Sequence, residues 1–163
     1  IQKEFSRIMS LKDGTKKMSK SDLSDLSRIN LTDDKDIIIN KIKKAKTDPL
    51  SLPSSLNELK ERPEAKNLLG IYSSLTDSNL DKTVDEFNGK NFSEFKDKLS
   101  QALVEKINPI SEEIKKLIND KGFLDKILLD GHKKAKEIAT IKVKKMKEII
   151  GFWLNFLKQV SIS

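Results

Sequence analysis

Apolar residues recur along this chain at three- and four-residue spacing, so its hydrophobic pattern predicts helices. Thr32-Asp33-Asp34 supplies capping side chains for a first helix. It runs through Ile37, Ile38, Lys41, Ile42 and Ala45 to about Lys46. Lys41, Lys43, Lys44 and Lys46 crowd its last turns, where cations complement the helix dipole. Pro63 opens a second helix whose stripe is Ala65, Leu68, Leu69, Tyr72 and Leu75. Ser78-Asn79 caps a third through Leu80, Val84 and Phe87, closed by Gly89. The longest run is Phe92, Phe95, Leu99, Leu103, Ile107, Ile110, Ile114 and Leu117, one amphipathic helix that Pro109 kinks without ending. Phe123, Leu124, Ile127 and Leu128 predict a short helix ending near Gly131, and Lys133 to Ile150 the last one. Thr47 to Glu61 holds Pro49, Pro53 and several serines without a hydrophobic period and reads as a linker.

Strand signals are confined to the start. Arg7-Ile8-Met9-Ser10-Leu11 reads as the end of a short buried strand. Asp13-Gly14 marks a tight turn, which places the following residues on a mobile loop. No repeat of fixed period appears. The fold class predicted is mainly α: a helical bundle attached to a short α/β remnant.

Composition narrows the partners. The net charge is +7 with a pI near 9.4, which favours an anionic partner, though codon bias toward lysine contributes. Cysteine is absent, so disulfides and thiolate metal sites are excluded. The apolar tail Ile149 to Leu157 is too short to span a bilayer, and a cytoplasmic location is expected. Acidic pairs such as Asp33-Asp34 and Glu112-Glu113 read as helix-end and surface charge without metal-ligand spacing. His132, the single histidine, is expected at a helix entry, in a capping or surface role.

Chemistry concentrates in Lys17-Met18-Ser19-Lys20-Ser21. Chains of this composition contain that word by chance about once in a thousand, rare enough to act on. Two ammonium groups and several hydroxyls on one loop suit a polyphosphate that gains charge during reaction. With Arg7-Ile8-Met9-Ser10-Leu11 before it, the stretch Thr15 to Asp22 resembles the last nucleotide-binding segment of class I aminoacyl-tRNA synthetases. Within them the chain most resembles the bacterial-type tryptophanyl-tRNA synthetases. Pro63 to Tyr72 is similar to that family's turn into a helix bearing Asn-Leu-Leu. Phe87-Asn88-Gly89-Lys90 resembles its Gly-Lys turn, and Asp130-Gly131 with Lys134-Ala135 its last helix entry. Met18-Ser19 departs from the tyrosyl relatives.

The resemblance implies a C-terminal half of a longer enzyme. Residues 1–31 would end a Rossmann-like catalytic domain, and residues 32–163 would form the helical domain that meets the tRNA anticodon. It implies ATP with Mg2+ as substrate, no protein-bound metal, and tryptophan and its tRNA as partners. Lys17 and Lys20 would neutralise the leaving pyrophosphate. Ser19 and Ser21 would donate to phosphate oxygens, and Met18 with Ile8 and Met9 would line the adenine side. Lys133, Lys136, Lys144 and Lys147 are candidate tRNA phosphate contacts on the basic last helix. The family's first ATP motif and tryptophan pocket precede Ile1 in a complete enzyme, so this chain alone is expected to show no adenylation. The family's homodimer forms through that missing domain, and this chain is expected to be monomeric.

Glu64-Ala65-Lys66 and Asp22-Leu23-Ser24 depart from the family pattern and leave the contacts between loop and helix open. Trp153 to Ser163 has no family counterpart, and Trp153 reads as a packing residue. Two rival readings remain. One is a non-enzymatic basic helical module for RNA or a membrane surface; the other is a piece of a tyrosyl-tRNA synthetase.

Overall fold

The computed structural model describes residues 7–152. The chain forms two compact units, Ile1–Lys115 and Lys116–Ser163. In the first unit a two-stranded antiparallel hairpin, β1 (Met9–Ser10) and β2 (Asp13–Lys17), precedes the helices. These are α1 (Lys35–Lys43), α2 (Pro63–Leu75), α3 (Leu80–Phe87) and α4 (Phe92–Asn119), the last crossing into the second unit.

Helix starts follow local chemistry. The Asp34 carboxylate accepts the Ile37 N–H and caps α1, and the Asn79 side chain accepts the Lys82 N–H and caps α3. Pro63 occupies the first turn of α2, where a missing N–H costs nothing. Gly89 ends α3 with φ of 69°, a conformation that a Cβ would strain. Helix α1 stops at Lys43, one turn short of the expected Lys46. Its C-terminal carbonyls are taken by a distant side chain: Lys96 Nζ donates to the carbonyls of Lys43 (3.1 Å) and Ala45 (2.7 Å). Burial pushes the Lys96 ammonium below its ordinary pKa.

One core joins these elements. Ile38 and Ile42 of α1, Leu68 and Leu69 of α2, Val84 and Phe87 of α3, and Phe95 and Leu99 of α4 are all closed to solvent. Each such side chain contributes about 1.5–3 kcal/mol relative to exposure. Tyr72, Phe87 and Phe95 meet edge to face, with centroids 4.8–5.9 Å apart. Leu11 of the hairpin belongs to the same core.

The segment 47–61 is more than a linker. Leu52, Pro53 and Leu59 are buried, and Glu58–Glu61 forms a 3-10 turn. The Arg62 guanidinium ties the segment down, donating to the Asp48 carboxylate and to the carbonyls of Leu50 and Ser51. Single apolar residues placed without a period still find the core when a neighbouring charge pair fixes the backbone.

In the second unit α5 runs unbroken from Lys121 to Ile149, where two helices separated near Gly131 were expected. The apolar stripe explains the continuity. Leu124, Ile127, Leu128, Ala135, Ile138 and Ala139 keep one face across Gly131 at about 100° per residue. One interior glycine costs about 1 kcal/mol, too little to break a helix of this length. His132 therefore lies exposed within a helix, not at a helix entry. No residue of α5 is buried. No helix among the described residues is long and apolar enough to cross a membrane. Trp153 and the end of the apolar tail lie outside the described residues.

Candidate nucleotide-loop site

The predicted mobile loop begins later than expected, because Asp13–Lys17 is a strand. The hairpin turns at Leu11-Lys12, and Asp13-Gly14 lies within β2 instead of making the turn. Ser10 pairs with Asp13 and Met9 with Lys17, so one step along β1 opposes four along β2. Residues 14–16 bulge out of the ladder to absorb that difference. The reason for Gly14 is packing: a Cβ there would lie 2.6 Å from the Glu64 nitrogen and from the Pro63 carbonyl carbon. Only a residue without a side chain lets the strand touch the first turn of α2.

Helix α2 holds both arms of the hairpin. The Asn67 side chain, itself buried, takes up both backbone groups of Met9. Its Oδ1 accepts the Met9 N–H at 3.0 Å, and its Nδ2 donates to the Met9 carbonyl at 3.1 Å. On the other arm, Gly14 lies against the backbone of Pro63 and Glu64, and the Glu64 carboxylate pairs with Lys46 at 2.9 Å. The Lys46 hydrogen bond holds the Glu64 carboxyl below its ordinary pKa, and Glu64 in turn raises that of Lys46. Backbone bonds complete the frame: Leu11 N–H donates to the Ser27 carbonyl, and Lys46 N–H to the Leu11 carbonyl. Glu64, which departs from the family pattern, thus lends its backbone to one of the contacts between hairpin and helix.

Beyond Lys17 the chain leaves the strand. Met18 N–H donates to the Ile8 carbonyl at 3.2 Å, and a turn follows. In it the Ser19 and Ser21 hydroxyls lie 3.0 Å apart, and Asp22 N–H donates to the Ser19 carbonyl. The far end is pinned by charge. Lys41 Nζ lies 2.6 Å from both the Asp25 and Asp33 carboxylates, Arg28 pairs with Asp25, and the Asn30 amide reaches both acids. Asp33, beside the N-cap of α1, and Lys41, in its last turn, keep the helix-end positions expected of them, but both are buried and neither is a surface charge. A buried ammonium survives because two carboxylates face it. The Lys41 hydrogen bond lowers the pKa of Asp25, with help from Asn30.

The expected site residues divide by exposure. Lys17, Ser19, Lys20 and Ser21 are exposed, while Met9 and Met18 are half-buried. Ile8 is 39% exposed and stands at the rim rather than inside a strand core. Among the described residues the Lys17 and Lys20 ammonium groups have no ion-pair partner, whereas neighbouring Lys16 pairs with Asp13 at 3.4 Å. That contrast separates the two lysines of the pentapeptide from the basic residue beside it. The structure therefore brings Ile8, Met9 and residues 17–21 to one short hairpin and turn. In α5, Lys133, Lys136 and Lys144 are exposed and Lys147 is half-buried. At about 100° per residue the four share one face, opposite the apolar stripe. Among the described residues no cluster of acids and histidine could hold a metal ion.

Sequence reasoning missed Asn67, Gly14 and Lys41 as parts of this frame. Lys41 carried a signal, since it sits on the apolar stripe of α1 with Ile38, Ile42 and Ala45. For Asn67 no local signal exists, because its partner is 58 residues away.

Comparison with known proteins agrees with the geometry. The family model described as class I tRNA synthetases (W and Y) matches residues 2–108. The tryptophan–tRNA ligase of Rhizobium meliloti is 52% identical over 146 residues, which are 90% of this chain and 41% of that relative. That of Rickettsia felis is 49% identical over 152 residues, 93% of this chain and 46% of the relative. In three dimensions the chain is similar to the tryptophanyl-tRNA synthetase of Mycoplasma pneumoniae. The TM-score is 0.69 at 25% identity, covering 91% of this chain and 44% of that one. The chain thus spans less than half the length of these relatives. It belongs to the class I tRNA synthetases of the tryptophan and tyrosine type.

Proposed function

We propose that this chain is the pyrophosphate-loop and tRNA-facing part of a tryptophan–tRNA ligase that works in the cytoplasm. In that reaction the tryptophan carboxylate attacks the α-phosphorus of ATP, pyrophosphate leaves, and the aminoacyl group passes to tRNA. Lys17 and Lys20 are assigned to the charge that builds on the leaving pyrophosphate. Ser19 and Ser21 donate to its oxygens, and Ile8, Met9 and Met18 line the adenine side. ATP enters with Mg2+ as substrate. The observation that carries this reading is that Lys17, at the end of β2, and Lys20, on the turn after it, have no ion-pair partner among the described residues, on a stretch fixed at both ends, by α2 on one side and by Lys41 on the other. Such a stretch delivers charge to one point with little left to reorganise.

Residues 1–31 are assigned to catalysis and residues 32–163 to tRNA, with Lys133, Lys136, Lys144 and Lys147 on phosphates. This division is one of roles: Leu11 shares its core with Ile38 and Leu68, so packing is continuous across Leu31. Tryptophan specificity is supported by the names of the relatives. Dimerisation is assigned to the part of those relatives that this chain does not span.

Tryptophan-dependent ATP–pyrophosphate exchange tests the assignment, on this chain and on a fusion to the upstream part of the Rhizobium meliloti relative. The chain alone gives no exchange. The fusion exchanges and charges tRNA(Trp), and Lys20→Ala slows exchange by about a hundredfold or more. Exchange by the chain alone, or a fusion indifferent to Lys20→Ala, refutes the assignment. A fusion that activates tryptophan yet leaves tRNA(Trp) uncharged refutes the role given to residues 32–163.

A further inference from the structure

Ile8, just before β1, and Met9, its first residue, bond in opposite directions. The Ile8 carbonyl accepts the N–H of Met18, the first residue past β2. Both backbone groups of Met9 go to the Asn67 side chain of α2. Asn67 thus takes the place of a neighbouring strand on the free edge of β1, offering one acceptor and one donor at the spacing of a peptide group. The path from helix to loop is short: Asn67 to Met9, one peptide bond to Ile8, and one hydrogen bond to Met18. Glu64, less than one turn earlier in α2, packs its backbone against Gly14 on the other arm.

We propose that Asn67 is a positioning residue that sets where the Lys17–Ser21 turn stands, acting through Met9 and Ile8. The inference rests on the reading of Lys17 and Lys20 as pyrophosphate ligands for its purpose, though not for its geometry. Asparagine is the side chain the clamp requires. Aspartate keeps the acceptor but turns a second oxygen toward the Met9 carbonyl, and alanine leaves both Met9 groups without a partner. Asn67 is followed in α2 by residues that are themselves buried in the core: Leu68, Leu69 and Gly70. A displacement of α2 therefore carries the edge of β1 with it, and the turn in turn.

Residue-resolved amide exchange on the full chain tests the clamp, comparing wild type with Asn67→Asp and Asn67→Ala. Inorganic pyrophosphate serves as the probe of the turn. In the wild type the Met9 amide exchanges much more slowly than that of Lys20. Both variants speed exchange at Met9 and Met18 by about tenfold, one buried hydrogen bond's worth, and leave Phe95 and Leu99 unchanged. Pyrophosphate binding weakens in parallel. Unchanged exchange at Met9 and Met18 in both variants overturns the proposal. If Asn67→Ala loosens Phe95 and Leu99 too, the isosteric Asn67→Asp and the wild-type rates decide; a wild-type Met9 amide as fast as Lys20 overturns the clamp. If exchange responds as expected while wild type ignores pyrophosphate, the clamp stands and the role given to the lysines fails.

Discussion

Gly14 shows how narrow the tolerances at the hairpin are. Its absent Cβ leaves room for the backbone of Pro63 and Glu64, which cannot swing aside as a side chain would. Gly14→Ala should cost about 3 kcal/mol, the upper end for overpacking, read as a lower urea midpoint with an unchanged slope. A loss below a few tenths of a kcal/mol would mean that strand and helix are not in contact. Charge at the same frame predicts acid sensitivity. Glu64 and Asp25 both have folded pKa values below their unfolded ones, so the unfolded chain binds more protons as pH falls. Their contribution is complete above the ordinary carboxylate range and is lost as pH drops through it. Urea midpoints should fall between about pH 6 and about pH 3, and Glu64→Gln should flatten the decline. Residue types at this scale were legible, but their duties only partly. The pentapeptide announced its lysines because its chemistry is local. Gly14 read as a turn residue because its true neighbour lies 50 positions away in sequence.

Elements were easier to read, since a helix writes its period into consecutive residues. The stripes of α2, α3 and α4 and the capping Asn79 match their predicted places. What failed was punctuation. Asp-Gly and a lone interior glycine are permissive signals, and the surrounding pattern decides whether either becomes a turn. The hairpin overrode Asp13-Gly14, and the continuous stripe of α5 overrode Gly131. Gly131→Ala provides the check at this scale. In an unbroken helix with open space around that position it should stabilise by roughly 0.5–1 kcal/mol, seen as greater helical ellipticity on heating. Reduced ellipticity would restore the break that the sequence suggested.

Across the molecule, burial is unequally shared. The core cluster lies entirely within residues 11–103, whereas α5 buries no residue. The candidate loop is set on the well-packed unit, and the lysine-rich helix belongs to the other. Neither this division nor its placement near Lys115 was visible in the sequence, because α4 keeps one apolar period across it. The chain has a single tyrosine, and it falls in the well-packed unit. Tyr72 is wedged edge-on between Phe87 and Phe95, an asymmetric setting that gives a phenol strong near-ultraviolet dichroism. The chain therefore carries a native spectroscopic label for that unit, while the helix α5 contributes to the far-ultraviolet ellipticity. Melting followed by tyrosine dichroism and by far-ultraviolet ellipticity should give two curves that do not superimpose, the ellipticity changing first. Coincident curves would show that the units unfold as one. No dye or engineered cysteine is needed to tell these cases apart.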